Sequence, residues 1–377
     1  MPSGQLISYS ATLPLKRVVT DRIILKDPME IVAINALGLD NESKFSFVNG
    51  PAAGGTYEWL EDVLQDRTDA LNTAGLTSDS TSTGITVDTG TLFQVGDIIQ
   101  VDSEYMYVSS ISSNVLTVTR NYGGTQATHS DDAVVTLVSR ARIEGTNSSD
   151  SNFTQPTSGT NYSQIFHKEI DVSRSNALLQ RYGIPNVVER EIDKAMDELA
   201  KLLNLTAYHG QRKVGSSSTP RGMGGLDTFI STNINALSST PALTRKHIED
   251  EIQDCWDAGG NPRLILCGAW AKRKIASFFE GYVQTERSES MGGIEIDRIM
   301  SPLGLTVAVA VDRYCPTDKL YILDPDYVGF LTIDPFFEES LGKVGDTAYF
   351  GQVVGEYGFV VAYETAHSIV SGFSTSA

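Results

Sequence analysis

One stretch of this chain commits to a shape before any other. Between Pro185 and Tyr208, the residues Val188, Ile192, Ala195, Met196, Leu199, Leu202 and Leu203 recur three and four positions apart, which gathers them on one side of an α-helix. Pro185 suits a first helical turn. Asp197 and Lys201 stand one turn apart, placed to pair. At the helical rise, such a rod is about 36 Å long. Its apolar stripe must lie on a sheet along the whole length, and its charged side is left for solvent or a neighbour.

Beyond it the periodicity shortens. Residues 244–258 form a second helix, with Thr244 as N-cap, Ile248, Ile252, Cys255 and Trp256 as its apolar set, and Gly259-Gly260 as the stop. Arg263–Cys267 reads as a buried strand and Ala269–Phe279 as a third helix. Leu305–Val311, Leu320–Leu323, Val328–Ile333 and Phe359–Tyr363 supply further strands. Helix, strand and helix in succession make a compact α/β lobe.

Residues 76–139 differ from both flanks. They contain no lysine, and Arg120 alone stands against Asp79, Asp88, Asp97, Asp102, Glu104, Asp131 and Asp132. Short β-prone runs (85–87, 97–101, 105–108 and 115–119) alternate with turns at 102–104 and 112–114. We read an all-β module of roughly five strands inserted into another domain. The spacing of Asp97, Asp102 and Glu104 is not that of a calcium loop, so they read as solvated turn carboxylates. Phe93, Tyr105, Tyr107 and Tyr122 read as strand and core residues.

The N-terminal part is less regular. Residues 1–26 carry Lys16, Arg17, Arg22 and Lys26 against Asp21, a local excess of +3, and Arg17–Leu25 is a β-prone run that must find its partners elsewhere. Asp27-Pro28 signals a turn or helix start ahead of Ile31, Val32, Ile34 and Leu37. Around Trp59 both a strand and a short helix fit. Residues 146–160 read as a polar loop, 162–172 as extended, and 209–225 as a Gly/Ser/Arg loop, with His209 capping carbonyls at the end of the long helix.

Composition narrows the function classes. A length of 377 residues means two or three domains. The net charge of −18 is wrong for a nucleic-acid reader working through a basic face. No apolar run approaches the ~18 residues of a membrane span, and the first residues lack a signal-peptide pattern. Cys255, Cys267 and Cys315 are odd in number and form no C-x-x-C, so they read as reduced, buried thiols. No two of the five histidines are four apart. Gly222-Met-Gly-Gly225 is not followed by the lysine and hydroxyl residue of a phosphate loop. No nucleophile, dinucleotide or zinc motif occurs. We therefore assign no catalytic, cofactor-binding or metal residue.

Several short words, in order, carry a resemblance. They are Trp59-Leu-Glu-Asp62, Asn161-Tyr-Ser-Gln-Ile-Phe-His-Lys168 with Val172-Ser173, Arg221-Gly-Met-Gly-Gly-Leu226, Gly345-Asp346 and Gln352-Val-Val-Gly-Glu356. Over roughly residues 30–75 and 140–373 the chain resembles the major capsid proteins of tailed bacteriophages. The resemblance implies an α+β, Hong Kong 97-like fold. Its parts would be an N-terminal arm (1–42), an extended loop (43–75 and 140–175), a peripheral domain with the spine helix (176–225 and 336–377) and an axial domain (226–335). The all-β domain at 76–139 departs from the minimal pattern.

The implied function is structural: pentamers and hexamers tiling an icosahedral or prolate shell around double-stranded DNA, without sequence-specific binding. The implied partners are a scaffolding protein, a portal and decoration proteins, with no membrane and no cofactor. The location is the virion, after assembly in the host cytoplasm. Only about 26 residues precede the body, too few for a built-in scaffold, so a separate scaffolding protein is expected. Candidate assembly contacts are Arg17 and Arg22 on the arm, Trp59, Glu61, Phe166 and Lys168 on the extended loop, and Arg190 and Lys201 on the helix. Trp59 and Phe166 would bury aromatic area over a neighbouring subunit. No cross-linking pair is assigned. A competing reading is a tail, baseplate or decoration protein whose β module binds a glycan or other partner.

Overall fold

In a computed structural model, the structure describes residues 31–39, 49–52, 55–72, 76–77, 84–142, 144–145, 153–179, 186–237, 241–278, 283–287, 295–342, 345 and 347–375. The chain divides into two compact units. One comprises residues 1–59 and 158–377, the other Leu60–Thr157. The basic arm lies outside the described residues.

The larger unit is built on a seven-stranded mixed sheet, in the order Ile234–Ala236, Ser368–Ser371, Lys319–Leu323, Leu264–Cys267, Thr306–Val311, Glu295–Met300 and Val283–Arg287. Its centre is apolar on both faces because both are covered. Leu264, Leu266, Ala308, Ala310, Tyr321 and Leu323 face the core that holds the long helix. The alternating Ile265, Cys267, Val307, Val309, Leu320 and Ile322 face the helices Arg245–Asp257 and Ala269–Phe278, through Ile248, Ile252, Ala271 and Ile275. A period of two thus sorts one strand set into two cores. Thr244 caps the first of these helices as its sequence predicts. Trp256 is 51% exposed and belongs to neither core. It follows buried Cys255 by one residue, which turns it about 100° away from the stripe.

A second sheet is antiparallel, in the order Gln164–Ser173, Thr347–Val361, Val328–Ser340. The long helix, Val187–His209, packs beneath it. Asn186 caps the helix, its Oδ1 accepting from the amides of Val188 and Glu189 at 3.1 and 3.4 Å, so the helix begins two residues later than the Pro185 start read from sequence. Ile192, Ala195, Leu199, Leu203 and Ala207 are buried with Phe166, Ile170, Val172, Val353 and Phe359. Leu202 is 50% exposed and falls off the stripe. A short helix, Val32–Leu37, completes this core. The ambiguous segment around Trp59 is a strand, Thr56–Glu61, with Tyr57 and Trp59 buried and Glu58 and Leu60 exposed.

The smaller unit holds a six-stranded antiparallel sheet: Thr68–Ala70, Val134–Arg140, Asp97–Val101, Glu104–Ser112, Val115–Gly123, Gly84–Thr86. Asp102 and Ser113 adopt positive φ, 51° and 56°, in the turns read from sequence. Leu71, Leu76, Ile99, Val101, Met106, Val108, Leu116 and Phe93 form its core, while Tyr107 and Tyr122 stack at 5.6 Å outside it.

Two of its carboxylates are not solvated, contrary to the sequence reading. Asp97 and Glu104 are buried. Arg140 Nε meets Asp97 at 2.9 Å. Glu104 takes Arg120 at 2.6 Å, His129 Nε2 at 3.0 Å and the Ala127 amide at 3.1 Å, while His129 Nδ1 meets exposed Asp102 at 2.6 Å. Burial alone pushes the Glu104 carboxyl up, but these donors outweigh it and hold it at about 2, against an ordinary 4.5. The folded unit therefore binds this proton less readily than the unfolded chain does. The resulting stabilisation is complete above pH 4.5 and drains away as pH falls towards 2. Circular dichroism of the isolated unit is expected to show acid unfolding through that window, and Glu104→Gln is expected to flatten the dependence.

The sheet reaches back to Thr68 and its core to Leu71 and Leu76, because strand pairing extends past the shift in composition at residue 76. Thr154 Oγ1 donates to the carbonyl of Val63 at 2.9 Å, so the unit's two chain ends are adjacent. Excising 64–153 behind a short linker is expected to leave a soluble remainder with wild-type thermal unfolding. Excising only 77–139 strands Leu71 and Leu76 and is expected to give insoluble protein.

Candidate assembly site

Three of the sequence words meet in space. Asn161 is fully buried and its amide is bracketed: Nδ2 donates to the carbonyls of Phe359 and Gly224 at 2.6 and 3.1 Å, and Oδ1 accepts from the Gly224 amide at 2.9 Å. Gln164 Oε1 accepts from the Met223 amide at 3.1 Å. Glu356 Oε1 receives Arg221 Nη2 at 2.6 Å and also the Ser163 hydroxyl. Tyr57 lies over Gly358, where no Cβ would fit, and its hydroxyl is held protonated by burial and by the charge of Glu356.

The glycine loop is consumed by this junction. Gly222 N bonds Lys213 O, Met223 N bonds Gln164, Gly224 N bonds Asn161, and Gly225 N bonds Gly210 O. All four amides are spent, so none is left to cradle a phosphate. The junction ties the Gln164–Ser173 strand, the loop after the long helix and the Thr347–Val361 strand together. Above it, Thr56, Tyr162, Ile165, Val214, Pro220 and Arg221 line a surface groove of about 570 Å3.

A second buried node ties the helices to the seven-stranded sheet. One carboxylate oxygen of Asp312 accepts from Asn204 Nδ2 and the Tyr208 hydroxyl, each at 2.8 Å, and from the Ala33 amide at 3.2 Å. The other accepts from the Tyr314 amide at 2.8 Å. Neither Asn204 nor Asp312 stood out in the sequence reading, although the first interrupts an apolar run and the second ends one. His209 does not cap carbonyls as expected. Its Nδ1 meets Asp227 at 2.9 Å, and Asp227 also holds Lys319 at 2.9 Å and the Tyr321 hydroxyl at 2.8 Å. Among the described residues no cluster of three or more potential metal ligands occurs.

Both nodes join segments distant in sequence, and comparison with known proteins gives the family of the chain that carries them. The SU10 major capsid protein family matches residues 4–374. The chain belongs to that family. Among solved structures, the capsid asymmetric unit of cyanophage A-1(L) covers 98% of this chain and 99% of its own at 14% identity, with a TM-score of 0.55. The capsid of Myoviridae phage XM1 covers 99% and 100% at 11% identity, with a TM-score of 0.51. These likenesses support the Hong Kong 97-like fold. No curated protein matches. The tail, baseplate or decoration reading finds no support.

In an SU10-type capsid subunit the expected contact residues fall into three groups. Trp59 and Phe166 are only 2% and 5% exposed. Trp59 packs on Phe229 at 6.0 Å and against Gly159, and Phe166 meets Tyr357 and Phe336 at 6.4 and 6.5 Å. Their aromatic area is spent inside the subunit rather than over a neighbour, because pairing of their strands turns both rings into the core. Lys168, Arg190, Lys201 and Glu61 are partly exposed. Lys168 pairs with Glu198 on the long helix and holds that carboxyl below its usual range. Arg17 and Arg22 lie outside the described residues. Lys168, one of the charges that sequence reading assigned to neighbours, thus bridges the Gln164–Ser173 strand to the long helix within the capsid subunit.

Proposed function

We propose that copies of this chain assemble into the hexamers and pentamers of an icosahedral or prolate shell around double-stranded DNA. The observation that carries this reading is the family match, which runs from residue 4 to residue 374 and leaves no part of the body outside it. On this reading the Gln164–Ser173 region and the strand before it root the extended loop, the long helix is the spine of the peripheral domain, and the seven-stranded sheet forms the axial domain. The smaller unit is an insertion in the extended loop. The subunit carries out no catalysis. Its partners are a scaffolding protein, a portal and decoration proteins, and assembly takes place in the host cytoplasm.

The physics suits a tile. A closed shell sums many lateral contacts, so each can remain weak and reversible while errors anneal. A net charge of −18 keeps the subunit from gripping phosphate, so the free subunit's affinity for DNA stays low and nearly independent of salt. The test is co-expression with the scaffolding protein of the same phage and negative-stain microscopy. Closed shells of one diameter are expected. Monomers and small oligomers under every scaffold condition would end this reading.

A further inference from the structure

The chain leaves the three-stranded sheet at Val361 and enters the seven-stranded sheet at Ser368. The turn between them, residues 362–367, is anchored by three side chains. Tyr363 has a left-handed backbone, φ 53° and ψ 64°, which a bulky residue takes only where its surroundings enforce it. Its ring packs edge-on against Tyr327 at 5.5 Å, and its hydroxyl donates to the Ala258 carbonyl. Glu364 accepts from the amides and hydroxyls of Ser231 and Thr232, at 2.6–3.1 Å. His367 is fully buried, with Nδ1 3.1 Å from the Asp324 amide and Nε2 3.1 Å from the Ala362 carbonyl. An amide only donates and a carbonyl only accepts, so the ring is neutral with its proton on Nε2. A second proton would enter at Nδ1, against the N–H of Asp324.

Two of the three anchors therefore work only as unprotonated acceptors. Burial holds the His367 imidazole at about 4, below its ordinary 6.5, and outweighs the nearby charge of Glu364. Burial pushes Glu364 itself up, but its four donors outweigh that and hold it below 4.5. The open turn binds both protons more readily. The closed turn is thus fully stabilised above pH 6.5 and loses stability as pH falls towards 4, with Glu364 adding to the loss below 4.5. The Asp324 carboxylate is engaged with the amides of Asn261 and Asp326, and Arg263 lies 3.9 Å from it. On the facing helix, Arg245–Asp257, burial and the charge of Asp254 push Glu251 up, so its own proton uptake favours the closed form and trims the effect.

We propose that residues 362–367 are an acid-operated latch, whose opening frees the Ser368–Ser371 strand while the rest of the subunit stays folded. The strand is flanked on its outer side by the three-residue strand Ile234–Ala236, so it leaves without breaking the centre of the sheet. The latch goes beyond the shell-forming role and does not depend on it.

Cys255 reports the opening. It is buried on the helix that packs against this strand, whereas Cys267 lies on a central strand. The soluble full chain is labelled with a pyridyl disulfide, which reacts with thiols at acid and neutral pH alike, and peptide mapping locates the label. Between pH 7 and pH 5, His367 alone raises the open population about 20-fold. With Glu251 opposing, labelling of Cys255 is expected to rise on the order of tenfold, while Cys267 and Cys315 stay protected. Equal labelling at the two pH values, or all three thiols reacting together, overturns the latch. His367→Asn keeps an acceptor for the Asp324 amide but does not titrate, and is expected to abolish the rise; a rise that survives also overturns it. Glu364→Gln weakens a separate anchor and is expected to raise Cys255 labelling several-fold at pH 7. Unchanged labelling there would show that the turn holds nothing shut.

Discussion

Asp312→Ala is expected to abolish assembly by unfolding the subunit core. The carboxylate is fully buried and takes four donors, from Asn204, Tyr208, Ala33 and Tyr314. Alanine takes this acceptor from Asn204, Tyr208 and Tyr314, and leaves the Ala33 amide only Asn204 Oδ1, at 3.1 Å. Removing one partner from a buried charged network costs about 3–5 kcal/mol, a large part of a typical domain's stability. The residue also joins distant chain: Ala33 and Asp312 are 279 positions apart. Urea unfolding followed by circular dichroism is the measurement. A wild-type midpoint for Asp312→Ala would show that the node contributes nothing. Asp312→Asn preserves shape but turns one acceptor into a donor, so an intermediate loss is expected. Tyr208 adds a second readout: its hydroxyl is held protonated by burial and by the nearby Cys315 and Asp312, so it is expected to resist alkaline titration until the subunit unfolds.

Leu199→Asp is the second large effect. Leu199 is 1% exposed at the middle of the long helix, in the core with Phe166, Ile170 and Val353. The substitution removes apolar burial worth about 2–3 kcal/mol and adds a carboxylate with no partner, for a total on the order of 5 kcal/mol. Insoluble or molten protein is expected. Leu202→Asp, three residues on and half exposed, is expected to cost under about 1 kcal/mol. The pair is decisive together. Equal losses at the two positions would mean the helix presents a different face from the one described.

The long helix was legible because its evidence is local. Although the reading placed Pro185 in the first turn and missed the Asn186 cap, the stripe repeats within a few residues. The same holds for Thr244, for the turns at Asp102 and Ser113, and for the all-apolar Leu264–Cys267 strand. The family words were legible too, but not what they do. Asn161 and Ser163 read as polar residues in an extended run, yet they close on Gly224 and Glu356, 63 and 193 positions away. The errors share a cause. Trp59 and Phe166 were expected to face a neighbour because aromatic residues on an extended loop suit an interface, and Asp97 and Glu104 were expected in water because turn carboxylates usually are. In each case pairing with a distant strand, or with a distant arginine or histidine, decided the burial.

The amino-acid sequence by itself therefore determined the helices, the strand runs, the composition of the smaller unit and the absence of catalytic motifs, since each depends on residues within a turn or two of one another. Only the tertiary structure decided which polar side chains are buried together and which apolar ones are spent inside the subunit. A buried Asp312 or Glu104 is tolerable solely where donors from remote segments converge on it, and convergence is a property of packing that no local pattern encodes.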